Sequence, residues 1–175
     1  MKRTFWLFLA VLTAVGCGSD DGDEGDRAEA PPSARALATF ESARIPFTFD
    51  HPKGFVAEKR PRANVLARVA VERGSRLNAI EVRRTARREL DPGRYLGEFR
   101  RDFARTVGPV QKRRERIGDL DVGVLEFETP RFSSSSYFFK GAGQTWQLEC
   151  IADPEHRDEV DEACRAALES VDFGR

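Results

Sequence analysis

Apolar residues recur at alternate positions in segment after segment of this chain, and short turn signals join most of those segments in pairs. Phe47 and Phe49 alternate along Ile45 to Phe49 before the turn chemistry of His51, Pro52, Lys53 and Gly54. Val65, Ala67, Val69 and Val71 line one face of a second strand, Gly74 and Ser75 reverse the chain, and Ile80 with Val82 marks the return. Val110 to Ile117 reads as a basic strand turned at Gly118 and Asp119 into Leu120 to Glu128. Tyr137 to Lys140 and Gln144 to Ile151 form a hairpin across Gly141, Ala142 and Gly143. Parallel neighbours need a crossover of a dozen residues or more, so strands joined this closely run antiparallel. Two helical patterns interrupt them. Asp91 and Pro92 open the first, with Leu96, Phe99, Phe103 and Val107 on one stripe; the second follows Pro154, with Val160, Cys164, Ala167, Leu168 and Val171 on one face. The expected fold is an α/β (α+β) sandwich, a mainly antiparallel sheet of about six to seven strands covered by two main helices.

The ends of the chain differ from this pattern. Lys2 and Arg3 precede an apolar run from Phe5 to Val15, shorter than the roughly twenty residues that cross a bilayer as a helix, so the leader reads as a cleaved secretory signal. Ala14, Val15, Gly16 and Cys17 resemble the lipobox of bacterial lipoproteins. That resemblance implies removal of residues 1–16 and fatty acylation, palmitate among the acids, of Cys17. Stable anchoring takes more than one acyl chain, which a tri-acylated cysteine supplies. Residues 18–36 hold six acids and two arginines without a sizeable apolar side chain, a composition unable to offset its ordering entropy. We read 17–36 as lipidated cysteine and acidic linker, and 37–175 as one globular domain of ordinary size, a monomer.

Within that domain a Phe-Thr-Phe segment runs into Pro52-Lys53-Gly54-Phe55. Further on come Tyr95-Leu96-x-x-Phe99, a late strand with Trp146, and a final helix ending in Ser170-Val171-Asp172-Phe173. These features resemble the PsbP-like superfamily, which includes the extrinsic PsbP subunit of photosystem II and bacterial lipoproteins such as DcrB. Phe55 stands where many relatives carry tryptophan. The resemblance implies an α/β sandwich with a binding or assembly role, and it carries over no catalytic residues.

Export leaves Cys150 and Cys164 in an oxidising compartment. Trp146, Leu148 and Cys150 share a strand face, while Cys164 shares a helix face with Val160, Ala167 and Val171, so both sulfurs point into one strand-to-helix seam and a disulfide is expected. A metal site built from Cys150, His156 and Cys164 lacks a fourth ligand and paired spacing, and none is expected. No catalytic residue stands out either. His51 lies beside Asp50, but no nucleophile elbow surrounds Ser133 to Ser136, which read as a solvated loop. Gly141 to Gly143 is a hairpin turn rather than a phosphate cradle.

Charge is uneven along the chain: Lys53 to Arg116 carries 19 basic and 8 acidic residues, whereas Ile117 to Arg175 carries 5 and 13. Arg84 and Arg88 from the early hairpin, with Arg113 and Arg114 from the basic strand, are the candidate anion-binding residues, since guanidinium forks grip carboxylate and phosphate in pairs. The alternative is a set of strand edges guarded by charge. The expected function is a lipid-anchored binding or assembly factor on the extracytoplasmic face of a bacterial envelope membrane, non-enzymatic and without a cofactor. Its partners would be the membrane through Cys17 and an envelope protein or anionic ligand, not nucleic acid. A second reading is a carrier of a small amphipathic or lipid molecule in a groove between sheet and helix.

Overall fold

A computed structural model of the protein describes residues 36–85 and 110–174, all within one compact unit, Ala34–Arg175. Nine strands and one helix occur among them: β1 (Leu37–Phe40), β2 (Phe49–Pro52), β3 (Phe55–Ala57), β4 (Ala67–Val71), β5 (Ala79–Thr85), β6 (Gln111–Ile117), β7 (Leu120–Glu128), β8 (Ser133–Gly141), β9 (Gln144–Ala152) and α1 (Arg157–Glu169). Of the two helices expected from sequence, α1 is the second. The first, over Asp91 to Val107, lies outside the described residues, as do the leader, Cys17 and nearly all of the acidic linker.

Strands β3 to β9 form a seven-stranded sheet in the order β3, β4, β5, β9, β8, β7, β6, with every neighbouring pair antiparallel. β1 and β2 make a separate two-stranded ribbon. Three tight hairpin connections set the register. At the β8–β9 turn Ala142 (φ 49°) and Gly143 (φ 72°) both adopt positive φ, the backbone of a type I′ turn, whose twist matches that of the flanking strands. At the β6–β7 turn Gly118 takes φ 55° at the first central position, where a side chain would be strained.

Pairing across the sheet sorts its side chains into two faces. Val82, Leu148, Tyr137 and Val124 lie in one row of the first face, and Ile80 with Cys150 in the next. α1 lays Val160, Ala163, Cys164, Ala167 and Leu168 on this face, each no more than 1% exposed, while Phe40, Phe47 and Phe49 close the core from the ribbon side. Burying each such side chain is worth about 1.5–3 kcal/mol, so this layer dominates stability. Cys150 and Cys164 are joined by a disulfide across it, with their Cα atoms 6.3 Å apart. The end of the helix is tied down as well. The Ser170 hydroxyl donates to the Ala166 carbonyl (2.7 Å) and accepts from the Asp50 N–H (2.7 Å), and Thr48 and Asp172 exchange backbone hydrogen bonds.

Two local expectations change. Ile45 to Phe47 is irregular rather than strand, because Pro46 has no N–H to place in a ladder, although Ile45 and Phe47 are buried as the alternation indicates. Ser133 to Ser136 is not a solvated loop: it opens β8, with Ser134 and Ser136 each 1% exposed. Low strand propensity is overridden there by partners on β9, where Ser134 Oγ donates to Glu149 (3.2 Å) and Gln147 donates to Ser136 Oγ (3.2 Å).

Candidate anion-binding cleft

At one end of the sheet the irregular segment 41–48, residues 63–66 and the β8–β9 turn surround an open cleft of about 610 Å³. Trp146 lines it and rests on a cluster of aromatic rings beneath. Trp146 meets Phe47 edge-on (centroids 5.2 Å), Phe47 meets Phe139 (5.8 Å) and Phe173 (5.1 Å), and the Trp146 Nε1–H donates to the Gly141 carbonyl (3.0 Å). Gly141 is required at this place: a Cβ there would stand 1.9 Å from the Phe173 ring. The rim is polar. Asn64 and Gln144 offer amides, and two guanidinium groups come from separate elements, Arg44 from the irregular segment and Arg84 from the end of β5, directly opposite Trp146 on β9.

Neither arginine has a carboxylate partner among the described residues. Arg44 makes one long hydrogen bond to the Val65 carbonyl (3.4 Å), and Arg84 is exposed. The described lining contains no acid. A second hollow, about 940 Å³ along β6 and β7, mixes Arg114 and Lys140 with Glu115, Asp119 and Asp121 and so has no excess of positive charge among its described residues. An anion entering the first cleft meets two cations, neutral donors and the Trp146 ring, the combination suited to bidentate capture of carboxylate or phosphate.

Of the four arginines singled out in the sequence, the structure does not gather the three it describes. Arg84 and Arg113 fall on one sheet face and Arg114 on the other, and β5 and β6 stand four strand positions apart, roughly 19 Å. Arg113 is held between Glu126 and Glu115, and the hydrogen bond to Glu126 raises its pKa above the ordinary arginine value. Arg88, like Cys17, lies outside the described residues.

On the face away from α1 the structure reveals a buried ionic ladder that periodicity alone did not signal. Glu81 on β5 and Glu149 on β9 sit directly opposite one another at 0% and 4% exposure. Arg83 spans both carboxylates. Arg68 donates through Nε to Glu81 (3.0 Å) and reaches Glu58 and the Arg76 carbonyl, and Arg62 adds a longer contact to Glu81 (3.5 Å). Burial pushes the Glu149 pKa up from its ordinary value, Arg83 opposes that shift and Glu81 reinforces it. Such a ladder positions strands, since a one-residue slip would leave these charges unpaired. Two serines of the run considered for a serine-hydrolase site likewise stand apart from the histidine. Ser134 and Ser136 lie on this far face, whereas His51 belongs to the ribbon on the α1 side, with Nδ1 3.0 Å from the Pro52 carbonyl.

No family model matches the sequence, and no curated protein matches it. Among solved structures, that of cyanobacterial PsbP (CyanoP) from Synechocystis sp. PCC 6803 superimposes over 79% of this chain and 92% of its own, with a TM-score of 0.55 at 12% identity. The fold is PsbP-like. Looser likenesses, each with a TM-score of 0.46, are to Mycobacterium tuberculosis LpqN, involved in cell envelope biogenesis (9% identity, 79% of this chain and 86% of that one), and to the Saccharomyces cerevisiae Ran-binding protein Mog1p (8% identity, 80% and 96%). The cleft is described by its own residues.

Proposed function

We propose that this chain is a lipid-anchored, extracytoplasmic binding or assembly factor of the bacterial cell envelope, non-enzymatic, which holds an anionic group of its partner in the Arg44–Arg84 cleft. The observation that carries the reading is Arg84, a guanidinium without a carboxylate partner among the described residues, beside a second cation and Trp146 in a cleft whose described lining has no acid. The leader, the lipobox-like Ala14 to Cys17 and the acidic linker support the location. The PsbP-like fold is compatible with a protein that binds rather than transforms. A ligand lying between sheet and helix is less well supported, because the seam under α1 is already filled by side chains 0–1% exposed.

The test places a photo-crosslinking amino acid at Gln144, on the cleft rim, in cells that make the full chain. Partners captured on illumination are identified by mass spectrometry. The reading expects a defined product that disappears in the Arg84→Glu variant, and that needs the membrane anchor, so that Cys17→Ser releases the protein from membranes and weakens capture. A product unchanged by Arg84→Glu refutes the cleft, and a Cys17→Ser protein that still carries fatty acid refutes the anchor.

A further inference from the structure

β6 ends the strand order, and among the described residues it pairs only with β7. The hairpin closes through the two-residue turn Gly118–Asp119 with Ile117 opposite Leu120, so these two exchange backbone hydrogen bonds. In an antiparallel ladder bonded pairs alternate with non-bonded ones. Ile117, Glu115, Arg113 and Gln111 therefore turn their backbone groups toward β7, whereas Arg116, Arg114 and Lys112 turn theirs outward. The three residues with outward N–H and C=O groups are the three whose cationic side chains share one face of the strand, all of them exposed. Among the described residues Arg116 has polar neighbours, the Gly118 carbonyl at 3.5 Å and Asp119 at 4.0 Å, and Asp121 stands opposite it on β7.

From this coincidence of free backbone and cations we infer that β6 is a docking edge for an extended acidic segment of another protein, added as a further strand with acids at alternate positions. A segment pairing here would bond to Lys112, Arg114 and Arg116, and its own residues opposite them would lie about 5 Å away on the same face. The cations are spaced about 7 Å apart along the strand, the repeat of every second residue in an extended chain. Acids at positions i, i+2 and i+4 meet all three, whereas acids in one unbroken run place half of their charge on the opposite face. A second copy of β6 is a poor occupant, because it would set like charges across the new ladder. This edge lies four strand positions from the cleft, and the inference does not depend on the cleft.

The test uses the full chain in detergent with two labelled nine-residue peptides of one composition, glutamate alternating with valine and threonine in one and gathered in a single run in the other. Fluorescence anisotropy should show roughly tenfold tighter binding of the alternating peptide. Hydrogen exchange should then slow at the amides of Lys112, Arg114 and Arg116, with no change at Arg113 and Glu115, whose amides already face β7. Replacing Lys112, Arg114 and Arg116 together by glutamate should reverse the preference, toward the same alternating peptide with lysine for glutamate. Equal affinity for the two acidic peptides, or binding without protection of those three amides, overturns the inference and leaves the cations as guards against edge-to-edge association. If the triple variant fails to fold, the exchange measurement on the unaltered chain still decides.

Discussion

Replacing Arg83 by methionine should be among the most damaging single changes in the described part of the domain. Arg83 bridges Glu81 and Glu149, which face each other across β5 and β9 at 0% and 4% exposure, and with Arg68 it balances their charge. Methionine keeps much of the apolar stem while leaving one buried carboxylate uncompensated. Breaking a buried pair from one side costs about 3–5 kcal/mol. Against a typical total of about 5–15 kcal/mol this removes a large share of stability. At about 2–4 °C per kcal/mol the midpoint should fall by roughly 6–20 °C. The pH dependence has a definite sign. Glu149 has a raised pKa in the folded state, so folding takes up protons, and this contribution, full below the ordinary carboxylate value of 4.5, is lost as pH rises through the folded value. The variant lacks the guanidinium that opposes the shift, so its deficit relative to the parent should shrink toward low pH. Adding Glu149→Gln should recover at least half of the loss by restoring neutrality. Thermal and urea denaturation of the three proteins from pH 4 to pH 8 measures this. A loss under about 1 kcal/mol, or a double variant no more stable than Arg83→Met, would refute the charge-balance argument.

Reduction of Cys150–Cys164 should lower stability by about 3 kcal/mol, the chain-entropy value for a loop of this size, read by denaturation with and without reductant; peptide mapping of the exported protein should recover the linked pair. Gly141→Ala should expel the Phe173 ring at a cost of about 1–3 kcal/mol and red-shift Trp146 fluorescence; if Gly141→Ala with Phe173→Ala is less stable than Phe173→Ala alone by the full single-variant cost, the clash is not the cause. The His156 ring should titrate above its ordinary value of 6.5, because its hydrogen bond to Asp153 (2.8 Å) favours the charged form; its stabilising contribution is then full below 6.5 and fades as pH rises through the folded value. An NMR titration in which Asp153→Asn leaves the His156 midpoint unmoved would contradict that assignment.

Much of this molecule was legible in local pattern. Alternation and turn residues located both late hairpins, and the helical stripe Val160, Cys164, Ala167 and Leu168 is the buried face of α1. The facing of Cys150 and Cys164 followed from two periodicities alone, since periods of two and 3.6 decide which way a side chain points before any packing is known. Ser133 to Ser136 escaped the same logic. Serine favours loops by propensity, and its place in β8 depends on Glu149 and Gln147 of the next strand.

The arginines show the division most sharply. Composition and spacing determined that the middle of the chain is rich in guanidinium and that its apolar residues suit an antiparallel sheet. Only the tertiary structure decided the fate of each cation: Arg83 inside a ladder with Glu81 and Glu149, Arg113 between Glu126 and Glu115, Arg84 beside Trp146 in a cleft, Arg114 on the edge strand β6. The physical reason is that a charge acts through what stands within a few ångströms of it. Strand order sets those neighbours: it places β9 beside β5, by pairings between residues sixty or more positions apart in the chain, and the hairpins that follow carry β6 to the far edge.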